Sequence, residues 1–155
     1  MTDYMVIERR RTIAAPVSRI TPLIIDFHGW SDWSPWEGID PDMQREYTGP
    51  ESGVGTHYEW SGNKKAGAGN MEITAVRPDA IELDLNFTRP FKSQGKTNFE
   101  FSADGDETTV TWQVHSPKTL MTRVVGIFMN FDKSVGGDLD RGLDKLKAEV
   151  EGKKA

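Results

Sequence analysis

The sequence predicts an α+β fold, in which a highly curved antiparallel sheet of about seven strands wraps around one long C-terminal helix. Three observations predict it. A first extended segment is followed by short helical segments, the middle of the chain alternates apolar and polar residues between tight turns, and the end of the chain carries an apolar stripe at helical spacing. The 155 residues fit a single domain spanning residues 1–155.

The first strand is expected at residues 4–14, YMVIERRRTIA. The next segment, VSRITPLIIDF at 17–27, has its apolar residues at helical spacing after Pro16, which suits a first helical position. Pro22 splits or shortens this helix, because proline removes a backbone donor inside a helix. We therefore expect two short helices after strand 1, with a short helix or turn carrying the tryptophan-rich segment that follows.

The middle of the chain predicts consecutive antiparallel strands. The clearest strand is 81–87, where Ile, Leu, Leu and Phe alternate with Glu, Asp and Asn, as expected for a sheet with one buried and one wet face. On a neighbouring strand we expect Met71, Ile73 and Ala75 to share one face. Further strands are expected at 43–48, 55–61, 70–77, 97–102 and 109–114.

The chain ends in a long amphipathic helix. Its apolar stripe runs from Leu120 to Val150 at steps of three or four residues. Gly126 and the pair Gly136–Gly137 each weaken helix propensity by about 1 kcal/mol relative to alanine. We interpret them as a bend or as a close approach to the sheet. A sheet curved enough to grip this helix leaves space that side chains alone do not fill, so a cavity is expected.

Composition excludes several classes of function. The chain has no cysteine, so disulfides, thiolate zinc sites and cysteine nucleophiles are excluded. No apolar run reaches the roughly 18 residues of a membrane-spanning helix, and a secretory signal is lacking, so we expect a cytoplasmic protein without stable membrane insertion. The net charge of −5 argues against nucleic acid as a partner. We interpret Arg9, Arg10 and Arg11 as solvated strand positions rather than an anion site.

No cofactor or metal is expected, and no catalytic residue is identified. The three histidines lack metal-ligand spacing, and neither a phosphate loop nor a dinucleotide fingerprint is present. His57 should face away from its neighbour Tyr58 and be exposed beside Glu59. His115 should face away from the interior. His28, next to the tryptophan segment, is the polar candidate for a pocket rim.

The segment FHGWSDWSPWEGIDPD at 27–42 places Trp30, Trp33 and Trp36 within seven residues. Two interpretations remain open. The rings either plug one end of the sheet and supply core area, on the order of 200 Å² each, or line a ligand pocket with an indole N–H as donor. We expect at least one of the three to line a cavity.

Several separate segments occur in order along nearly the whole chain: AAPV at 14–17, DFHGWSDWSPWE at 26–37, GPESGVGTHYEWSGN at 49–63, TTVTW at 108–112 and GLDKLK at 142–147. Together they resemble the START/Bet v 1-like (SRPBCC) superfamily, and within it the bacterial polyketide cyclase/dehydrase and lipid-transport family. The resemblance implies a helix-grip fold with a hydrophobic internal cavity.

Because of this resemblance, the inward-facing aromatic and methionine side chains become candidates for lining the cavity. The alternative for each of them is an ordinary place in the core. Methionine suits adaptable pockets because its side chain is flexible and polarisable. The cavity-lining candidates are Trp33, Trp36, Tyr58, Trp60, Met71, Phe87, Phe99, Trp112, Met121 and Phe128.

Three hypotheses of function follow, because folds of this kind host many activities. The first is binding of a small hydrophobic ligand, resembling a lipid, a polyketide or an aromatic metabolite, by a monomer or weak homodimer. The second is a polyketide cyclase- or aromatase-type enzyme that uses the same cavity without a metal or nucleotide cofactor. The third is a protein-interaction module like the chaperone-stimulating relatives. Binding ranks ahead of catalysis, since no spacing compels a catalytic group.

Overall fold

The sheet consists of seven antiparallel strands in the order β1-β7-β6-β5-β4-β3-β2. The computed structural model describes residues 4–34, 42–62, 67–89, 93–117 and 125–152. Its strands are β1 (Tyr4–Ile13), β2 (Gln44–Thr48), β3 (His57–Ser61), β4 (Ala68–Arg77), β5 (Ala80–Arg89), β6 (Ser93–Asp104) and β7 (Glu107–Pro117). Its helices are α1 (Val17–Ile20), α2 (Pro22–Ile25), a 3₁₀ helix (Gly29–Asp32) and α3 (Val125–Gly152).

The predicted α+β helix-grip fold is confirmed, including the two short helices after β1. Strands β2 to β7 pair with their neighbours in sequence, as short turns require, and β7 pairs with β1. The strands β1 and β2 therefore lie at opposite edges of the sheet. The segment between them, which contains α1, α2 and the 3₁₀ helix, has to cross from one edge to the other. This crossing brings Trp30 and Trp33 to the inner face.

The core lies between the inner face of the sheet, α1 to the 3₁₀ helix, and α3. The last turns of α3 contribute fully buried apolar residues at the predicted steps of three and four, and the alternating residues of β5, β6 and β7 contribute the rest. The α3 contribution is Leu139, Leu143, Leu146 and Val150. No described helix is long and apolar enough to cross a membrane.

The arginine run of β1 has a more specific role than solvated strand positions. Arg10 does point to solvent and pairs with Glu8. Arg9 and Arg11 instead face α3 and reach Asp140 at 3.2 and 3.1 Å, because they alternate with Arg10 and share the face of the strand that the helix covers.

Gly136 confirms the close approach of helix and sheet. A Cβ at this position would collide with the guanidinium of Arg9, whereas a Cβ at Gly137 would lie 3.7 Å from Nη1 of Arg141, an ordinary van der Waals contact. The missing side chain at Gly136 therefore lets the Arg9 side chain lie across α3.

One expectation on β4 is wrong. Met71 and Ile73 are buried on the inner face, but Ala75 pairs with Glu82 and so faces outward. The cause is a β-bulge between Ile73 and Ala75, which inserts a residue and reverses the alternation beyond it.

Candidate functional site

Most of the described aromatic side chains on the inner face form two groups that differ in exposure. We call Phe27, Trp30, Trp33, Phe99 and Trp112 the closed cluster, because each is at most 5% exposed. We call Tyr47, Tyr58, Trp60 and Phe87 the open cluster. There Tyr47 is 37% exposed, Trp60 and Phe87 are only partly buried, and Tyr58 joins the two groups.

The closed cluster is packed ring against ring. Phe99 and Trp112, from paired positions on β6 and β7, stack with ring centroids 4.9 Å apart. Trp33 and Trp112 make an edge-to-face contact with ring centroids 5.5 Å apart, and the ring centroids of Trp30 and Trp33 are 4.6 Å apart. Such offset and edge-on contacts are the favoured geometries of aromatic pairs. The contacts leave these rings no surface to offer a ligand.

The three indole N–H groups of the closed cluster are also used within the protein. Trp30 Nε1 donates to the Ile24 carbonyl and Trp33 Nε1 to the Leu23 carbonyl, both at 2.9 Å. These carbonyls are available because α2 ends after one turn and leaves its last acceptors without helical partners. Trp112 Nε1 donates to Thr97 Oγ1 at 2.8 Å. Of the two interpretations of the tryptophan segment, Trp30 and Trp33 therefore fit the core plug.

The open cluster follows the strand register across β2, β3 and β5. Tyr47 is paired with Tyr58, and their rings lie 5.2 Å apart. Tyr58 and Trp60 lie two residues apart on the same face of β3, and their rings stack with centroids 6.1 Å apart. Phe87 and Trp60 make an edge-to-face contact with centroids 5.7 Å apart. Gly69, opposite Trp60 on β4, has no side chain, and this leaves room for the indole ring. The result is a continuous aromatic surface from the sheet edge towards the core.

The remaining cavity candidates have varied positions. Met71 is buried on β4 opposite Tyr58, at the base of the open cluster. Trp36 and Met121 lie outside the described residues, and the side chain of Phe128 on α3 does as well.

His28 lies at the rim of the open cluster. Its ring stacks on Tyr47 at 3.9 Å with an interplanar angle of 18°, and Asp26 Oδ1 lies 3.0 Å from Nδ1. The Asp26 carboxylate also accepts the backbone N–H of His28 at 2.9 Å. The stack connects the segment after α2 to the edge strand β2, and so fixes Tyr47 relative to the core.

Sequence reasoning missed Tyr47 and Arg45, the two inner-face residues of β2. Arg45 is paired with Trp60 in the strand register, so both side chains point to the inner face. The signal available in the sequence was the alternation in QREYT, which becomes informative only when β2 and β3 are aligned across their turn.

The described interior holds no buried carboxylate, histidine, lysine or arginine side chain. The buried polar residues there are Ser34, Thr56, Thr97 and Thr108, and every buried side-chain N or O atom in this part of the chain has a hydrogen-bond partner. Among the described residues no group of three or more carboxylates and histidines could hold a metal ion.

The other two histidines lie on the outer face, as the alternation predicted. His57 Nε2 is 3.2 Å from Glu59 and its Nδ1 is 3.3 Å from Glu72. His115 Nε2 is 3.1 Å from the Asn98 side-chain oxygen. Partial burial, reinforced by Lys96, lowers the pKa of His115 below its ordinary value.

Comparison with known proteins supports the same fold. A family model for polyketide cyclase/dehydrase and lipid transport matches residues 5–151, which confirms the resemblance found in the sequence. No curated protein sequence matches the chain.

Solved structures match over almost the full length. Protein MLL2253 from Mesorhizobium loti has a TM-score of 0.70 at 14% identity and covers 97% of this chain and 100% of its own. Ara h 8.0201 has a TM-score of 0.64 at 12% identity, with 96% and 99% covered. The Aha1 dimer from Colwellia psychrerythraea has a TM-score of 0.62 at 17% identity, and the match covers 97% of this chain and 99% of that one. At identities this low, the likeness establishes the fold alone.

Proposed function

This chain belongs to the polyketide cyclase/dehydrase and lipid transport family, and from that premise we propose that it binds a small hydrophobic ligand between the sheet and α3. The ligand class is lipid-like, polyketide-like or an aromatic metabolite. The open cluster forms the contact surface on the sheet. Residues 1–155 act as one ligand-binding domain, and the cysteine-free sequence suits a reducing, cytoplasmic location.

The observation that carries this proposal is the partial exposure of Tyr47, Trp60 and Phe87 on the inner face, next to a closed cluster that is fully packed. When an apolar molecule covers aromatic rings that are held in fixed positions and partly exposed, the removal of their surface from water favours binding. Covering roughly 100 Å² of such surface is worth about 2.5 kcal/mol at about 25 cal/mol per Å². A few polar groups at the rim, such as His28, orient the ligand.

The alternative enzyme, a cyclase or aromatase in the same cavity, takes its support from the description of the family. Proton transfer during ring closure needs an acid or base inside the cavity, and such groups usually have shifted pKa values because they are buried. The described interior contains no buried carboxylate or imidazole. Binding therefore ranks ahead of catalysis.

The interaction-module alternative requires a large exposed apolar patch. In the described part of the chain the exposed large hydrophobic residues are single side chains on β1, β2, the β2–β3 turn and β4. They are Val6, Tyr47, Val54 and Val76. Apart from Tyr47, which belongs to the open cluster, they are single residues of a kind that is ordinary on a protein surface.

Native mass spectrometry of the freshly purified protein, followed by denaturing extraction, tests the proposal. We expect a reproducible extra mass that is lost on denaturation, and a smaller bound fraction in Trp60→Ala than in the wild-type protein. The same spectrum reports whether the chain is a monomer or a weak homodimer. An apo mass, combined with no saturable binding of the neutral aromatic probe 1-pyrenebutanol, would contradict the proposal.

A further inference from the structure

We infer that the ligand is uncharged and carries a hydroxyl group, and that Nε2 of His28 accepts a hydrogen bond from this hydroxyl at the rim of the open cluster. This inference rests on the proposed function and narrows the ligand class to a flat or extended apolar body with an alcohol or phenol at one end. His28 is then the residue that determines specificity. Asp26 is a positioning residue that acts through it.

The contact with Asp26 fixes which nitrogen of His28 carries the proton. Asp26 Oδ1 lies 3.0 Å from Nδ1 of the imidazole and also accepts the backbone N–H of His28 at 2.9 Å. An ionised carboxylate only accepts hydrogen bonds, so Nδ1 is the nitrogen that donates. In the neutral ring, Nε2 then carries a lone pair and is an acceptor. The hydrogen bond at Nδ1 also polarises the ring and strengthens this acceptor.

Nε2 is the available polar atom of this side chain. The His28 side chain is 61% exposed. Its ring contacts within the described part of the chain are the hydrogen bond to Asp26 and the stack on Tyr47, and neither of them uses Nε2. The two nitrogens lie on different sides of the imidazole ring, so Nε2 points away from Asp26 and is open to a molecule at the rim.

The imidazole is also held in place. Its ring lies 3.9 Å from the ring of Tyr47 at an interplanar angle of 18°. The preceding residue, Phe27, is 2% exposed and packs against Tyr58 with ring centroids 5.6 Å apart. The two consecutive side chains thus grip paired tyrosines of β2 and β3. An acceptor that is already positioned costs little conformational entropy when a ligand binds.

The stack places Nε2 beside the surface that the ligand would cover. Tyr47 is 37% exposed, and its ring lies 5.2 Å from that of Tyr58, which continues the aromatic surface to Trp60. Because the imidazole is nearly parallel to Tyr47 and in contact with it, Nε2 is about one ring thickness from the plane of Tyr47. An apolar body on the exposed part of the open cluster therefore brings a terminal hydroxyl within reach of this nitrogen.

The chemistry of the rim favours a neutral donor. A charged group that leaves water for an aromatic surface needs an opposite charge to replace its hydration, whereas a hydroxyl needs one hydrogen-bond partner. The carboxylate of Asp26 behind the imidazole and the formal net charge of −5 both disfavour an anion. An ether or ketone oxygen has no proton to donate to Nε2. A hydroxyl is the neutral group that satisfies this acceptor.

Two structural roles of this pair are distinguishable from ligand recognition. The His28 ring also fixes Tyr47 by stacking, and the Asp26 side chain also closes the turn after α2 by accepting a backbone N–H. Neither role would make the protein discriminate between a hydroxyl and its methyl ether on the same apolar body. Discrimination is therefore the property to measure.

The experiment compares 1-pyrenebutanol with its methyl ether, which share a ring system and chain length and differ in the O–H donor. Isothermal titration calorimetry gives the affinity of each probe for wild type, His28→Phe, Asp26→Ala and the matched control His115→Phe. Phenylalanine keeps a flat ring for the stack on Tyr47 and removes the acceptor. His115 lies on the outer face of β7, so the same change there leaves the rim intact. Circular dichroism verifies that each variant is folded.

We expect wild type to prefer the alcohol by about 3- to 10-fold, the range of one net hydrogen bond, although the ether is the more apolar molecule. His28→Phe should lose this preference while keeping its affinity for the ether, and His115→Phe should keep both. Asp26→Ala should reduce the preference, because Nδ1 loses its partner and the imidazole adopts both tautomers. Nitrogen-15 NMR at about pH 8, where imidazole is neutral, should show Nε2 unprotonated in wild type and a tautomer mixture in Asp26→Ala.

Equal wild-type affinity for both probes, a preference for the alcohol that survives in His28→Phe, or a proton on Nε2 in the wild-type spectrum would overturn the role of His28 and leave the proposed function intact. If His28→Phe does not fold, an unchanged preference in Asp26→Ala despite mixed tautomers would overturn it in the same way. Failure of both probes to bind wild type would overturn both proposals. The two failures are therefore separate results of one titration series.

Discussion

The indole ring of Trp60 lies directly against Gly69, its strand partner on β4: a Cβ at position 69 would stand 2.7 Å from Cη2 of the ring. The same Cβ would also collide with the Asn86 carbonyl oxygen. A β-bulge between Ala68 and Gly69 accompanies this crowding. The position of Trp60, the tryptophan of the open cluster, is thus set by the absence of a side chain on the next strand.

Gly69→Ala should therefore damage both the fold and the site. The methyl group meets backbone as well as the ring, so we expect the free energy of unfolding to fall by about 1–3 kcal/mol. The displaced Trp60 ring should also weaken binding of 1-pyrenebutanol in the folded fraction. Urea unfolding and calorimetry measure the two effects. Gly152→Ala, where an added Cβ has no neighbour within 4 Å, is the control. Unchanged affinity in folded Gly69→Ala would argue that the ligand does not use the Trp60 surface.

Trp60→Ala and Trp112→Ala should differ in their effects on stability and on ligand affinity. Trp112 is 1% exposed and its N–H is bonded to Thr97, so its removal should cost about 3–5 kcal/mol of stability and little affinity per folded molecule. Trp60 is only partly buried, so its removal should cost less stability and lower the affinity for 1-pyrenebutanol by about tenfold.

Chemical denaturation and calorimetry on both variants check this separation. An affinity loss in Trp112→Ala equal to that in Trp60→Ala, at unchanged stability, would mean that the closed cluster is the binding surface.

The fold could be predicted from the sequence because its signals are periodic. The two-residue alternation of β5 and the three-to-four spacing of α3 each follow from local geometry, and short turns leave few ways to connect the strands. The role of each tryptophan is not periodic. Trp30 and Trp33 became core because α2 ends after one turn and presents two carbonyl acceptors to their indole N–H groups. That depends on where a four-residue helix stops.

The open cluster could be predicted only in part from the sequence, for a similar reason. Tyr58, Trp60 and Phe87 stand on strands whose alternation identifies the inner face. Tyr47 and Arg45 stand on a strand of five exposed residues, QREYT, where no buried face marks the direction of the side chains. Their face follows from pairing with β3, and although the glycines and proline at 49–53 indicate a turn, they do not specify this register.

The glycine pair of α3 gives a stability prediction with an internal control. Gly137→Ala should stabilise the protein by about 0.5–1 kcal/mol and raise Tm by about 1–4 °C, because alanine is the better helix former and the new Cβ meets only Nη1 of Arg141 at 3.7 Å. Gly136→Ala should stabilise the protein much less, because its methyl group displaces Arg9 from Asp140.

Differential scanning calorimetry of both variants and of the double variant Arg9→Ala/Gly136→Ala tests the cause. Removing Arg9 removes the collision, so Gly136→Ala should be more favourable in that background than in the wild type. Equal effects of Gly136→Ala in the two backgrounds would show that the helix does not rely on this glycine to admit Arg9.

His115 predicts how stability depends on pH. Its pKa is lowered from the ordinary 6.5, first by burial and then by Lys96, while Glu100 acts in the opposite direction. Between the lowered pKa and 6.5 the unfolded chain therefore binds more protons than the native one, so stability rises with pH in this window and falls as the solution is acidified through it.

His115→Gln keeps a side chain able to donate to Asn98 and removes the titration. Urea unfolding from about pH 7.5 to about pH 5.5, above the range where most carboxylates titrate, should show a smaller loss of stability for the variant than for the wild type. Parallel pH profiles would mean that the imidazole is as easily protonated in the folded protein as in the unfolded chain, and that its partial burial between Asn98 and Lys96 has no energetic consequence.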